Sequence, residues 1–304
     1  MTAVSDIALG ATSSTDPPTG ARPATDATVA RRRRRVTWGF RISAATIAAI
    51  VLVTLIGPFL VSDPNVGSLS ERLLPLGSAG HLLGTDGQGR DVLSRLVNGG
   101  RPSLLAGLIP VAVSSLVGTA LGVAAGLSGR LTHGAIMRTL DVFYAFPAVL
   151  LAIAISAALG SGISNSIIAL AVILIPPVAR VAETETRRLI DLDYMEAARA
   201  SGAGGLSIAV RQVLPNVAPP IIVYCTALIG LSIVYAAGLS FLGLGVSPPT
   251  AEWGLMISDY KQFLYSFPEL TAIPALAILV ASVAFNVLGD GLRDLLDVRG
   301  ETLT

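Results

Sequence analysis

Cysteine, histidine and lysine are scarce in this 304-residue chain, and their placement assembles neither a metal cluster nor a phosphate-binding loop. Cys225 is the single cysteine, so an internal disulfide and a cysteine-based metal cluster are excluded. It sits in an apolar run and reads as a small buried residue. His81 and His133 are expected on separate loops, so no shared metal site is expected. The only lysine is Lys261, within Asp-Tyr-Lys-Gln-Phe, so a phosphate-binding loop of the form GxxxxGK[ST] cannot occur. ATP, if it drives this protein, must be bound by another subunit. The polar groups that remain gather in residues 183–215, the longest charge-rich segment between two long apolar runs. From Glu183 to Arg211 it holds five acids and four arginines. A helix lying on lipid should be clearly basic, so mixed charge with exposed alanines suits a protein socket better.

The elements that must position this segment follow from composition. The chain is 52% hydrophobic and 13% charged, with a mean hydropathy of +0.71. Soluble domains average about 25% charged residues, so this is a membrane chain. The net charge of +1 implies neither an acidic nor a basic partner. Uncharged runs cover 42–60, 102–129, 142–179, 212–251 and 270–289. About 20 apolar residues cross the hydrocarbon layer as a helix. The run 142–179 is too long for one span, and Gly-Ser-Gly-Ile-Ser-Asn-Ser at 160–166 supplies a turn in its middle. The fold expected is all-α and polytopic, with six transmembrane helices near 42–60, 102–129, 141–159, 164–182, 220–243 and 270–289. With both termini inside, inner segments carry 16 Lys and Arg and outer segments 5, which favours the N-in, C-in orientation. The segment 183–218 then lies in the cytoplasm between helices 4 and 5.

Residues 1–35 read as a disordered tail, rich in Ser, Thr, Ala, Pro and Asp, that ends in five arginines. Directly before a hydrophobic span, those arginines read as a positive-inside anchor rather than a nucleic-acid or nuclear signal. Residues 36–100 comprise the first span and an external segment, 101–294 the main transmembrane domain, and 295–304 a cytoplasmic tail. Gly118, Gly122 and Gly126 recur at four-residue spacing, which lines one helix face and lets a second helix pack closely. No Asp, Glu, Lys, Arg or His lies near the middle of a span; Asp141, Arg180 and Asp290 sit at span ends. Proton-coupled carriers and voltage sensors usually need such groups, so a self-contained secondary transporter is the disfavoured alternative.

Within 183–218, Asp193 is a candidate N-cap and Glu196, three residues on, can complete a capping box. Ala197, Ala198, Arg199 and Ala200 favour helix. Gly202, Gly204 and Gly205 break it and permit positive φ. A second short helix over 206–213 should end at Pro215, which turns the chain back to the membrane.

Glu196-Ala197-Ala198, then Gly202, then Leu214-Pro215, resembles the EAA motif of ATP-binding-cassette importer permeases. Gln212 departs from the hydrophobic residue or histidine usual at its position, and a local change in how the loop docks is expected there. Three further stretches resemble the dipeptide, oligopeptide and nickel branch, in particular its second, C-type permease. They are Leu83-Gly84-Thr85-Asp86 through Gly89-Arg90-Asp91-Val92-Leu93-Ser94-Arg95, then Leu239-Ser240-Phe241-Leu242-Gly243-Leu244-Gly245 with Pro248-Pro249 and Trp253-Gly254, then Phe285-Asn286-Val287-Leu288-Gly289-Asp290-Gly291-Leu292-Arg293-Asp294. The likeness runs over about 41–299.

The resemblance implies a multi-pass cytoplasmic-membrane permease that does no covalent chemistry and binds no cofactor. ATP and Mg would sit in two partner ATPase subunits. A homologous second permease and an extracytoplasmic peptide-binding protein would complete the assembly, with no role for nucleic acid. Glu196 would be the charged contact of a coupling helix, with Ala197 and Ala198 beside it, Gly202 its hinge, and Leu214-Pro215 its exit. The substrate implied is a di- or oligopeptide, with nickel or glutathione as alternatives. Read from the residues alone, 84–95 either receives the binding protein or lies at an internal interface, and Trp253 suits the headgroup level.

Overall fold

The computed structural model describes the backbone of residues 26–300 and the side chains of 38–296. It is helical, with only isolated bridges among the described residues. The helices are α1 Asp26–Ile56, α2 Val92–Leu127, α3 Arg130–Tyr144, α4 Ala148–Leu159, α5 Ile163–Ile190, α6 Asp193–Ala200, α7 Gly205–Ile208, α8 Leu214–Phe241, α9 Trp253–Tyr260 and α10 Pro268–Gly300. Residues 1–25 of the expected tail lie outside the described residues. From Asp26 the backbone is already helical, so the expected boundary at residue 35 falls inside α1. Arginine is a good helix former.

Five helical stretches are long and apolar enough to cross a membrane: Trp38–Phe59, Val92–Leu127, Ile163–Ile190, Gly205–Phe241 and Pro268–Leu296. The third expected span, 141–159, is not one straight helix. α3 and α4 meet at an 88° bend and make a sixth span only if taken together. Pro147 explains the break, since a proline disfavours helical backbone in the residue before it. It sits in extended geometry at φ −56°, ψ 123° and starts α4. At about 1.5 Å per residue, the 12 residues of α4 are too short to cross alone.

The core is the packing of α2 with α5 and α8, and α10 joins α8 to α1 at the side. Leu170, Val178, Val213 and Val217 are among its fully buried side chains. α2 holds two prolines, Pro102 and Pro110, which a long helix tolerates in a membrane because neighbouring groups satisfy the freed carbonyls. α5 continues to Ile190, past the expected end near 182, so Glu183, Glu185, Arg187 and Arg188 are helical rather than in a loop. α7, a π turn over Ala209–Val213 and α8 likewise run on without a stop. The polar stretch is therefore two helix extensions joined by α6.

Candidate coupling site

The α5–α8 connection presents a short helix at the end of the bundle. Glu196, Ala197, Arg199 and Ala200 on α6 are exposed, Ala198 is half-buried and Met195 is fully buried. Met195 and Ala198, three residues apart, form the inward face. Met195 packs into the same core as Val178, Ala182, Ile208 and Val213, with Leu189 and Ala203 alongside. α6 is thus tethered to the membrane helices by one apolar side chain, while its opposite face is free to meet a partner.

The start of α6 differs from the expected capping box. Leu192 occupies the N-cap with no side-chain cap, and its carbonyl accepts from the Met195 amide at 2.9 Å. Asp193 is already the first helical residue, so its carboxylate cannot reach back across the helix start. Asp193 and Glu196 instead place negative charge at the positive end of the helix dipole. At the other end, the Gly202 amide donates to Arg199 O at 3.0 Å and the Ala203 amide to Ala198 O at 3.1 Å. This double closure needs a left-handed residue, and Gly202 supplies it at φ +81°. Gly204, at φ −68°, caps α7, and Gly205 opens that helix; of the three glycines only Gly202 uses the positive φ that glycine permits.

Pro215 does not stop a helix as expected. It lies in the first turn of α8, directly after the π turn that holds Gln212. A π turn shifts the hydrogen-bond register, which absorbs the missing Pro215 amide without breaking the helix. Leu214 and Pro215 are exposed on this surface.

α5, which leads into α6, packs along α2. A Cβ added at Gly118 would stand 2.9 Å from Ile175 O, at Gly122 it would overlap Ala179 O, and at Gly126 it would stand 2.6 Å from Thr186 Cγ2. The three glycines therefore lie along α5 in close backbone approach, as small residues permit in membranes. Beside this seam the buried Glu183 accepts from His133 Nε2 of α3 at 3.0 Å and pairs with Arg187. His133 is on a helix, not on a loop as expected. Its tie to Glu183 joins α3, α5 and the seam, a link of fifty residues that no local pattern announces.

The opposite end carries the Leu83–Arg95 motif. Asp86 accepts from Arg90 Nε at 2.7 Å and from the Gln88 and Arg90 amides. Arg95, 1% exposed, lies 3.7 Å from Asp86 and 3.6 Å from Asp259 of α9. Asp91 caps α2 by accepting from the Ser94 amide at 2.7 Å, and contacts His81 Nδ1 at 3.0 Å. Glu252 caps α9 through the Gly254 and Leu255 amides and accepts from Ser103 Oγ of α2 at 3.0 Å. Burial, and then the Asp86 charge, push the Tyr260 hydroxyl far above its ordinary range, so it stays neutral. Trp253 is buried within the protein, 3% exposed. Its indole donates to Leu96 O at 2.9 Å beside Gly100, while Gly99 lets the Ala251–Glu252 backbone approach α2.

Comparison with known proteins fits this arrangement. The family model described as binding-protein-dependent transport system inner membrane component matches residues 118–300. The Di/tripeptide transport system permease protein DppC of Pseudomonas aeruginosa is 44% identical over 82% of this chain and 84% of its own length. The Glutathione transport system permease protein GsiD of Pectobacterium atrosepticum is 44% identical over 75% of each chain. The Probable D,D-dipeptide transport system permease protein DdpC of Escherichia coli is 39% identical over 84% of this chain and 86% of its own. A solved structure of the MetNI methionine ABC transporter, facing inward, superposes with a TM-score of 0.53 at 19% identity, covering 67% of this chain and 96% of that one, which supports the fold alone. The helical bundle, its matched residues and these relatives together make the chain a multi-pass inner-membrane protein that belongs to the binding-protein-dependent transport system inner membrane components, the permease subunits of ATP-binding-cassette importers.

Proposed function

We propose that this chain is one of two permease subunits that pass di- or oligopeptides into the cytoplasm, driven by ATP and Mg bound in two partner ATPase subunits. The observation that carries the coupling role is α6: an exposed Glu196-Ala197 face on a helix held to the core by Met195. Glu196 is the charged contact with the ATPase, Gly202 the hinge, and Leu214-Pro215 the return into the membrane. ATP-driven closure of the ATPases pushes α6, and α5 carries the displacement along its seam with α2 at Gly118, Gly122 and Gly126. The excess of Lys and Arg on this side supports an N-in, C-in orientation, with α6 in the cytoplasm and 61–91 outside. An extracytoplasmic binding protein delivers the substrate there.

Peptide as substrate rests on the relatives named for dipeptide and di/tripeptide transport. Glutathione is a specific second reading, because a relative named for its transport matches equally well. Proteoliposomes holding both permeases, both ATPases and the binding protein decide between them. The expected result is ATP-dependent uptake of a radiolabelled dipeptide that unlabelled glutathione fails to compete. Competition by glutathione at equimolar concentration transfers the reading to that substrate. Uptake by this chain alone, driven by a proton gradient, overturns the importer reading altogether.

A further inference from the structure

Between the 61–91 segment and the end of α9 lies an open cavity of about 380 Å³. Asp86 and Arg90 form its floor, and Arg72, Lys261 and Asp259 stand around it. Its charges do not cancel. Asp86 and Asp259 are engaged by the two buried arginines, Arg90 and Arg95, at 2.7–3.7 Å. Arg72 and Lys261 remain. Arg72 lies 5.9 Å from the Phe263 ring centre and Lys261 5.3 Å from that of Phe241, with Ser258 Oγ 3.3 Å from the ammonium. Among the described residues, neither cation has a carboxylate within 4.0 Å. Two exposed cations, pre-positioned by aromatic rings above a rigid ionic floor, form a receptor for a carboxylate.

We propose that this cavity receives an acidic side chain of the extracytoplasmic binding protein, so that Arg72 and Lys261 are docking residues. The inference rests on the importer reading, which supplies the partner and places this end outside. A passing peptide's terminal carboxylate is the weaker source. No residue of α2, α5 or α8, the helices of the packing core, lines the cavity, so an occupant lies beside the bundle and not between its helices. Exposed cations also suit a transient partner, for which charge governs encounter and release.

Lys261, the only lysine in the chain, makes a selective test available. In the assembled transporter with its purified cognate binding protein, a water-soluble carbodiimide activates a carboxylate. The Lys261 amine attacks the acyl carbon, an amide forms, and the carbodiimide leaves as a urea carrying the carboxylate oxygen. Mass spectrometry should find the Lys261 peptide joined to an Asp or Glu of the binding protein, and Lys261→Arg should abolish that product. In the R72E/K261E pair, the binding-protein concentration for half-maximal ATPase stimulation should rise about tenfold or more, and added salt should produce a smaller rise in the wild type. Co-purification with the ATPases confirms that the pair has assembled. An unchanged half-maximal concentration, or a Lys261 amide to the peptide substrate instead, overturns the proposal. A wild-type transporter that no binding protein stimulates overturns the importer reading itself, a separate outcome.

Discussion

At the end built from residues 61–103 and 249–260, Asp86, Arg90, Asp91 and Arg95 are buried and held in ion pairs; at the other end, Glu196 and Arg199 stand exposed on a helix anchored through Met195. The first arrangement resists movement. Arg95 of α2 reaches Asp86 and Pro64 O of the 61–91 segment and Asp259 of α9. Displacing any of these elements would strand a charge in a low-dielectric setting, which is costly. The second arrangement gives way easily, because α6 can shift without unpairing a buried charge. A fixed platform at one end and a loosely held handle at the other is what a subunit needs if force enters at one side only. The α2–α5 seam spans the distance between them.

The contrast breaks most directly at Arg95. Arg95→Leu leaves Asp86 and Asp259 without one buried partner, so the expected loss is about 3–5 kcal/mol, by analogy with one-sided removal of buried ion pairs. The subunit should accumulate poorly in membranes, and its thermal unfolding midpoint in detergent should fall well below wild type. A wild-type midpoint would mean that the outer end is not a platform. Met195→Ala tests the tether. Removing a buried methionine costs about 2–4 kcal/mol where the packing cannot collapse, and here the loss is confined to one short helix. Amide exchange should rise over 193–200 before any change appears in α2 or α5. Uniform protection in the variant would show that α6 is held by something other than its one buried side chain.

How far these features could be read without coordinates varies with their range. The four-residue glycine spacing in 118–126 is a local pattern, whereas its match to Ile175, Ala179 and Thr186 depends on how α5 packs. Gly202 was legible because one left-handed residue ends a helix locally. The capping box was not, because Leu192 rather than Asp193 became the last non-helical residue, and one position decides which side chain reaches the free amides. The bend at Pro147 was masked by hydropathy, which sums apolar residues on both sides of a break. Met195 carries a faint signal, the one large apolar residue within Met-Glu-Ala-Ala-Arg-Ala. The ties of His133 to Glu183 and of Ser103 to Glu252 join residues 50 and 149 apart, and nothing in local sequence announces them.

Gly122→Val sharpens the comparison from the middle of the molecule. Its side chain would occupy the Ala179 carbonyl position, so α2 and α5 must part. Overpacking of this kind costs about 1–3 kcal/mol, less than a stranded buried charge. The subunit should insert and assemble, yet ATP hydrolysis should drive little uptake, because the path from α6 to the platform has been distorted. Normal coupling, measured as peptide imported per ATP hydrolysed, would remove the seam from that path.

Glu196→Lys has the smallest expected effect on the fold and tests the handle most selectively. Glu196 is exposed and has no ion-pair partner among the described residues, so its replacement should cost no more than about 1 kcal/mol, the loss of its interaction with the α6 dipole. What changes is the sign of the charge offered to the ATPase subunit. Reversal at an interface leaves like charges opposed wherever the partner presents a cation, which costs association rather than folding. Insertion and thermal midpoint should match wild type, while co-purification of the ATPase and peptide uptake both fall. Glu196→Gln separates the charge from the helix start. It keeps size and hydrogen-bonding capacity but removes the favourable interaction with the α6 dipole, worth about 0.3–1 kcal/mol. If Glu196→Lys retained full transport and full ATPase recovery, Glu196 would serve only the start of α6, and the exposed face would have to act through Ala197 and Ala200.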